Sequence, residues 1–268
     1  LKEKQERVSE ELDEMEQKAA EVLQEIINDG MSEYEKVLAV HDYVVNNTRY
    51  KTPTQLFPSE ELFTIYGALI QGVAVCEGYA ETVNFLLNHA DVTSMIVIGE
   101  ALTFASWVSH AWNIVRIEGE FYHVDATFDD PIVQGGEQLL MKNYLNLNDN
   151  DISTDHSWDR NQYPKCNSTR YNYFRVNELL VNSREDFIKR ISEIVKDQKD
   201  EIFFKISNYS EEEYNDVNKI LINTAEVLSY RDGSNYNLGI IWIYDIKYVK
   251  NLSFTNWLED SSDYLQYK

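Results

Sequence analysis

Cysteine, proline and glycine are all scarce in this chain of 268 residues, which holds 2, 4 and 10 of them. The two cysteines, Cys76 and Cys166, are too few for a disulfide framework and leave room for one bridge at most. So little proline and glycine excludes collagen-like and linker-dominated chains. No apolar run approaches the roughly 18 residues of a bilayer-spanning helix, so no membrane insertion is expected. Basic residues are the next shortage: 24 Lys and Arg stand against 46 Asp and Glu, and the net charge of −22 repels nucleic-acid backbones and anionic lipid. The acids are spread along the chain, as on a solubilising surface. What is plentiful is apolar and aromatic, 43% hydrophobic and 13% aromatic with 18 Tyr, which excludes wholesale disorder. At roughly 100–200 residues per domain, the length suits one large domain or two modest ones. A start at Leu1 in place of Met points to a removed upstream segment that held a signal or an anchor, and an extracytoplasmic or cell-surface location is expected from it.

From Val8 to Asn28 apolar residues recur at helical spacing until Gly30, which makes residues 1–30 an acidic amphipathic helix, packed on the domain or leading away from it as a stalk. Ser32 and Glu35 read as a capping box that opens a second helix. Residues 50–58, with two prolines, are a loop, and a short helix is expected over Phe63–Ile70. Tyr79, Val83, Leu86, Leu87 and Ala90 then form one helical stripe, and Cys76 stands at its N-terminus. Downstream the period changes to two: Thr93–Gly99, Ser109–Ile117 and Phe121–Phe128 read as strands, the last two joined across Glu118 and Gly119. Residues 142–175 resemble a long ordered loop. A helix over Arg184–Lys196, a strand over Glu201–Ile206, a helix over Glu211–Leu228 and strands over Gly239–Lys250 complete the chain. The expected fold is α+β, with domains over 31–175 and 176–268.

A thiolate is the nucleophile of cysteine chemistry, and the partial positive charge of a helix N-terminus favours it. A lone cysteine there is also an ordinary small buried residue, so the hairpin downstream decides the reading. With a two-residue loop at Glu118-Gly119, Ile117 faces Glu120, and His110 and Asp125 fall on one face as diagonal neighbours about 7–8 Å apart at the backbone. An imidazole and a carboxylate close that gap, whereas a three-residue loop puts them on opposite faces. A cysteine, a histidine base and a carboxylate that orients it are the parts of a thiol acyl-transfer site.

The segments "YGALIQGVAVCEGYAETVNFLL", "HAWNIV" and "YHVDATFDDP" resemble, in order and spacing, the transglutaminase-like superfamily, most closely its bacterial and kyphoscoliosis-type members, over about residues 31–170. The resemblance implies a papain-like α+β core, a nucleophile helix on an antiparallel sheet, with Cys76 as nucleophile, His110 as general acid/base and Asp125 as orienting carboxylate. Animal tissue members carry Gln and Trp beside the nucleophile; Val75 and Glu77 stand here, so calcium control and crosslinking are not expected to carry over.

The backbone N–H of Cys76 is one natural oxyanion donor, and Gln71 and Tyr66 are candidates for the second, each with a structural role as the alternative. Trp112 either covers the His–Asp pair or is core. Gly78, just after the nucleophile, points to close approach of a neighbouring backbone or substrate. His41, His89 and His156 have no partner legible in the sequence and are taken as structural; Asp129 and Asp130 before Pro131 are read as turn residues, with a cation site as the alternative. A metal shared by His110, His123 and Asp125 is rejected, because the two histidines are offset by about 13 Å at roughly 3.4 Å per residue. His123 is read as a face-mate and second hydrogen-bond partner of Asp125. The expected function is amide or peptide hydrolysis, or transglutamination, on a protein or peptide substrate (a Gln side chain or a peptide amide), with no cofactor, no metal and no nucleic acid. The alternative is a non-catalytic surface module that keeps the fold and binds proteins.

Overall fold

The Ser32 hydroxyl accepts from the Glu35 N–H at 3.3 Å and the Glu35 carboxylate accepts from the Ser32 N–H at 2.8 Å, the reciprocal box expected from the sequence. Helix α2 (Glu33–Asn47) starts there. Ahead of it runs α1 (Lys2–Ile26). Ala19 and Val22 of α1 are buried in one cluster with Val37, Val40 and Val44 of α2. The Tyr66 hydroxyl donates to Glu14 at 3.0 Å, and Glu16 pairs with His89. This side of α1 is a packed helix face, which overturns the stalk reading. The structure, a computed structural model, describes residues 2–51, 59–103, 106–131, 139–206, 221, 227–235 and 237–249. Residues 52–58 of the predicted loop lie outside them. The chain divides into two compact units, Leu1–Val176 and Asn177–Lys268.

In the first unit, β1 (Arg49–Tyr50) and β2 (Val73–Ala74) form a short parallel pair, and β2 feeds α3 (Cys76–His89). The helix expected over Phe63–Ile70 is two shorter turns, a 3-10 turn over Glu60–Phe63 and a π turn over Tyr66–Ile70. Gly67 makes the second turn feasible, since a Cβ there would lie 2.1 Å from the Glu61 carbonyl oxygen.

The main sheet is antiparallel, built on β3 (Ser94–Thr103), β4 (Ser106–Ile117) and β5 (Glu120–Val124). Glu118 and Gly119 both have positive φ (50° and 86°), the primed turn that matches strand twist, and Ile117 faces Glu120 as the sequence predicts. β5 stops at Val124 instead of Phe128, because Asp125 Oδ1 accepts the N–H groups of Thr127 and Phe128 at 3.0 and 3.1 Å and turns the chain out of the ladder. Tyr79, Val83, Leu86 and Leu87 of α3 are buried with Val115, Ile117, Tyr122 and Val124 of the sheet. At roughly 1.5–3 kcal/mol per buried large apolar side chain, this layer is a major stabilising contact of the unit.

The predicted long loop at 142–175 instead closes the sheet at both edges. β6 (Leu145–Leu147) pairs with β5, and β7 (His156–Trp158) pairs with β3, with α4 (Asp149–Ile152) between them and α5 (Tyr173–Val176) at the end. Strands of three residues are too short to show a period.

The second unit carries α6 (Arg184–Lys196), whose cap Ser183 accepts from the Asp186 N–H, and a sheet of order β10-β11-β9-β8. Its strands are β8 (Leu180–Val181), β9 (Ile202–Ile206), β10 (Val227–Asn235) and β11 (Ile240–Tyr248). Phe187, Ile191 and Val195 of α6 are buried with Ile202, Phe204, Ile241 and Ile243. The helix expected over Glu211–Leu228 lies mostly outside the described residues, and Val227 and Leu228 belong to strand β10. Both units are α+β.

Candidate active site

Cys76 is the first residue of α3, and its cap Val75 is extended and contributes no side-chain hydrogen bond to the helix end. The N-terminal N–H groups of α3 and their partial charge therefore lie beside the thiol. The Val75 N–H donates to the Leu62 carbonyl at 2.9 Å, which ties the approach to α3 onto the 3-10 turn. Gly78 completes that junction: a Cβ would meet Ala74 Cβ at 2.8 Å and the Leu62 and Thr64 carbonyl oxygens at 3.0 Å. The neighbouring backbone inferred from the sequence is the turn at 62–64. Gly78→Ala is expected to cost about 1–3 kcal/mol of stability and to slow alkylation of Cys76, because α3 must move off the turn. Chemical denaturation and a labelling time course check both effects, and an Ala variant equal to the parent in each would contradict this account.

The Cys76 thiol lies close enough to the His110 ring to favour its protonated form. His110 Nε2 lies 2.6 Å from Asp125 Oδ2, so Nδ1 is the nitrogen left for the thiol. The imidazole and carboxylate are both buried. Burial opposes a charge on His110, but the Asp125 charge and hydrogen bond, joined by Cys76, outweigh it and raise its pKa to about 10. Burial pushes the Asp125 carboxyl up, yet His110 and His156 hold it well below the usual carboxylate range. Trp112 stacks on His110 with centroids 5.9 Å apart, and Phe128 stands 5.0 Å from the same ring. The two aromatics wall the imidazole, as a cover for the His–Asp pair would.

Three sequence readings change here. His123 does not bond Asp125. Its Nδ1 accepts the Trp112 indole N–H at 3.0 Å and its Nε2 faces Asp149 Oδ1 at 2.9 Å. The second partner of Asp125 is His156, whose Nε2 lies 3.0 Å from Oδ2. The histidines taken as partnerless all have partners: His41 bonds Asp42 and Asp129, His89 bonds Glu16, and His156 bonds Asp125 and Asp155. Asp129 and Asp130 are more than turn residues, since Asp129 accepts from Tyr144 N–H and His41, and Asp130 accepts the Tyr79 hydroxyl at 2.5 Å.

The candidate oxyanion side chains are engaged elsewhere: Gln71 donates to Glu61 at 2.8 Å and Tyr66 to Glu14 at 3.0 Å. The residue that sequence reasoning missed is Tyr50. Burial raises its phenol pKa, and the charges of Cys76 and Asp125 add to that, so its hydroxyl lies within electrostatic reach of both. A tyrosine at the end of a two-residue strand carries no sequence signal of this.

His110, Asp125 and His156 present ligand-type atoms within 4.8 Å of one another, as do His123, Asp149 and Cys166. In the second group, His123 Nδ1 takes an indole N–H, so Nε2 carries the ring's hydrogen. A metal on Nε2 would force that hydrogen onto Nδ1, against the Trp112 N–H, the reverse of the acceptor that a ligating histidine needs. These residues fit a hydrogen-bonded brace better than a metal centre. Cys166 is buried and Cys76 is part-exposed, and both are free thiols, so the bridge left open by the sequence is not formed. Burial pushes the Cys166 thiol pKa up and Asp149 adds to it.

Residues 20–126 match the family model of the transglutaminase-like superfamily. Two solved structures are similar to the chain. One is a candidate cysteine protease from Cytophaga hutchinsonii, 18% identical with a TM-score of 0.35, in which 47% of this chain covers 42% of that one. The other is a TGase, 19% identical with a TM-score of 0.37, in which 49% of this chain covers 34% of that one. The chain thus spans less than half the length of either. No curated protein matches it. The matched segment, residues 20–126, carries Cys76, His110 and Asp125.

Proposed function

We propose that this protein is a cysteine-dependent amide acyl-transfer enzyme. The observation that carries the reading is the 2.6 Å bond between His110 and Asp125 beside Cys76, which stands at the start of a helix and within electrostatic reach of the His110 ring. Cys76, as thiolate, attacks the carbonyl carbon of a Gln side-chain amide or a peptide amide, and the Cys76 backbone N–H faces the oxygen that gains charge. His110, as imidazolium, gives its proton to the leaving amine as the C–N bond breaks, and a thioester remains. Water or a second amine then gives a proton to His110 as it attacks the thioester, and the thiolate returns. Asp125 keeps its charge throughout and fixes the ring with Nε2–H toward itself. Calcium has no step in this sequence, and hydrolysis is preferred over transfer.

An alkylating reagent near pH 6–7 should modify Cys76 at least about 100-fold faster than Cys166, because Cys76 is accessible and paired with His110 while Cys166 is buried among apolar and hydrogen-bonded neighbours. Peptide mapping after limited labelling measures the ratio, and equal labelling would remove the nucleophile assignment. Incubation with Gln-containing peptides and cell-wall-like peptides, with and without a primary amine, then separates the reactions by mass spectrometry. Cleaved peptide or ammonia supports hydrolysis, and conjugate as the main product overturns that preference. A reactive Cys76 with no product from a broad panel favours the binding module.

A further inference from the structure

His156 meets a carboxylate oxygen with each ring nitrogen: Nε2 lies 3.0 Å from Asp125 Oδ2 and Nδ1 lies 2.7 Å from Asp155 Oδ1. Ionised carboxylates only accept, so both nitrogens carry hydrogen and the buried ring is an imidazolium. Asp155 is fixed in turn by the Tyr144 hydroxyl, which donates to its Oδ2 at 2.6 Å. Asp125 is consequently full: Oδ1 accepts two backbone N–H groups and Oδ2 accepts from His110 at 2.6 Å and from His156.

We propose that His156 is a positioning residue of the acyl-transfer site: it stays protonated between Asp155 and Asp125, fixes Oδ2 where His110 needs it, and restrains the proton affinity of the His110 ring by sharing the same carboxylate oxygen. This rests on the reading of Cys76 as nucleophile and His110 as general acid/base. A carboxylate facing His110 alone would bind the imidazolium so firmly that it gave up its proton reluctantly to the leaving amine. With a second cation on the same oxygen, that hold is weaker. The charges then alternate along the line: Cys76 thiolate, His110 cation, Asp125 anion, His156 cation, Asp155 anion.

The groups that face His156 are few. Asp125 and Phe128 come from the turn after β5, Asp155 from the chain just before β7, His110 and Trp112 from β4, and Tyr144 from the chain before β6. Among the described residues His123 is a further titratable ring that senses it, and burial lowers the pKa of His123, which keeps it neutral. Burial opposes a charge on His156 as well, but the hydrogen bonds to Asp125 and Asp155 outweigh it and raise its pKa.

The test uses the full chain with isotope-labelled histidine. In the parent protein, nitrogen NMR should show His156 with two N–H groups at about pH 7, and Cys76 alkylation should show a thiolate plateau. His156→Gln removes the cation. Loss of a nearby positive charge raises every neighbouring pKa, so the His110 titration and both limbs of the alkylation profile should move up by about one pH unit. Asp155→Asn keeps an acceptor for Nδ1–H and leaves His156 charged against Asp125 but removes the anion behind it; loss of a negative charge lowers neighbouring pKa values, so it should move the profile down, by less, and it decides the matter where His156→Gln does not fold. A merely structural knot would lose stability in these variants without moving the profile. A neutral His156 ring at pH 7, or folded variants whose profiles match the parent, would overturn the proposal. If Cys76 in the parent shows no plateau, the nucleophile reading fails by itself, while the nitrogen spectrum still reports whether His156 is charged.

Discussion

Asp125→Asn is expected to lower turnover, and Cys76 alkylation near pH 6.5, by about 10³–10⁴-fold while the native fold persists. The fold persists because an asparagine oxygen can still accept the Thr127 and Phe128 N–H groups that Asp125 Oδ1 accepts at 3.0 and 3.1 Å. The activity falls because the amide must then turn its NH₂ toward His110 Nε2. A carboxylate 2.6 Å away requires a hydrogen on Nε2, which leaves Nδ1 free to take the proton of the Cys76 thiol. An amide donor at the same place requires a bare Nε2, so the neutral ring carries its hydrogen on Nδ1, facing the thiol, and has no lone pair there to act as a base. The substitution removes the His110 tautomer, and His156 Nε2, which faces the same amide, must likewise give up its hydrogen and accept, so the geometry is kept while both rings change protonation. Circular dichroism checks the fold, and the alkylation rate with peptide turnover checks the chemistry. A folded variant that keeps more than a tenth of the parent rate would show that Asp125 does not orient the base.

The parts of this site that were legible in the sequence are those set by local rules. Ser32 and Glu35 announce a helix start three residues apart, and Glu118-Gly119 announces a two-residue turn whose register alone brings His110 and Asp125 onto one face. The position of Cys76 at a helix start follows from one amphipathic stripe. What escaped is tertiary. His156 reaches Asp125 across 31 positions from a strand of three residues, and His41 reaches Asp129 across 88. Neither pairing has a period or a spacing to betray it, because it depends on which strand closes the sheet edge and on which helix passes the turn. His123 was misjudged for a related reason. The register correctly put it on the face of Trp112, but whether it bonded Asp125 or Asp149 depended on α4, a four-residue helix with too few positions to read.

His41→Ala should be the most damaging substitution away from the reacting atoms, at about 3–5 kcal/mol of stability. The His41 and Asp129 side chains are both 0% exposed, with Nε2 3.0 Å from Oδ2, and His41 Nδ1 reaches Asp42 at 2.9 Å. The same oxygen of Asp42, Oδ1, also pairs with Lys142. Removing the imidazole leaves the buried Asp129 charge with the Tyr144 N–H, at 3.1 Å, and the charge of Lys142 to compensate it. The damage should reach the site, because Asp129 belongs to the turn that follows Asp125 and its N–H donates to the Asp125 carbonyl. The pH dependence gives the sharper check. Burial opposes a charge on His41, but its bonds to Asp129 and Asp42 raise its pKa above the ordinary 6.5. A raised folded-state pKa contributes stability that is fully present below about pH 6.5 and is lost as pH rises through the folded value, so the parent loses this contribution in alkali. In the variant, burial acts on Asp129 unopposed by an imidazolium and favours the neutral acid, so falling pH relieves the variant. The difference between the two proteins should therefore peak near pH 6–7 and narrow on both sides. Urea unfolding of both proteins from about pH 5 to pH 9 measures it, and a penalty below about 1 kcal/mol, or one that does not change with pH, would mean that the His41–Asp129 pair is not the charged strut described here.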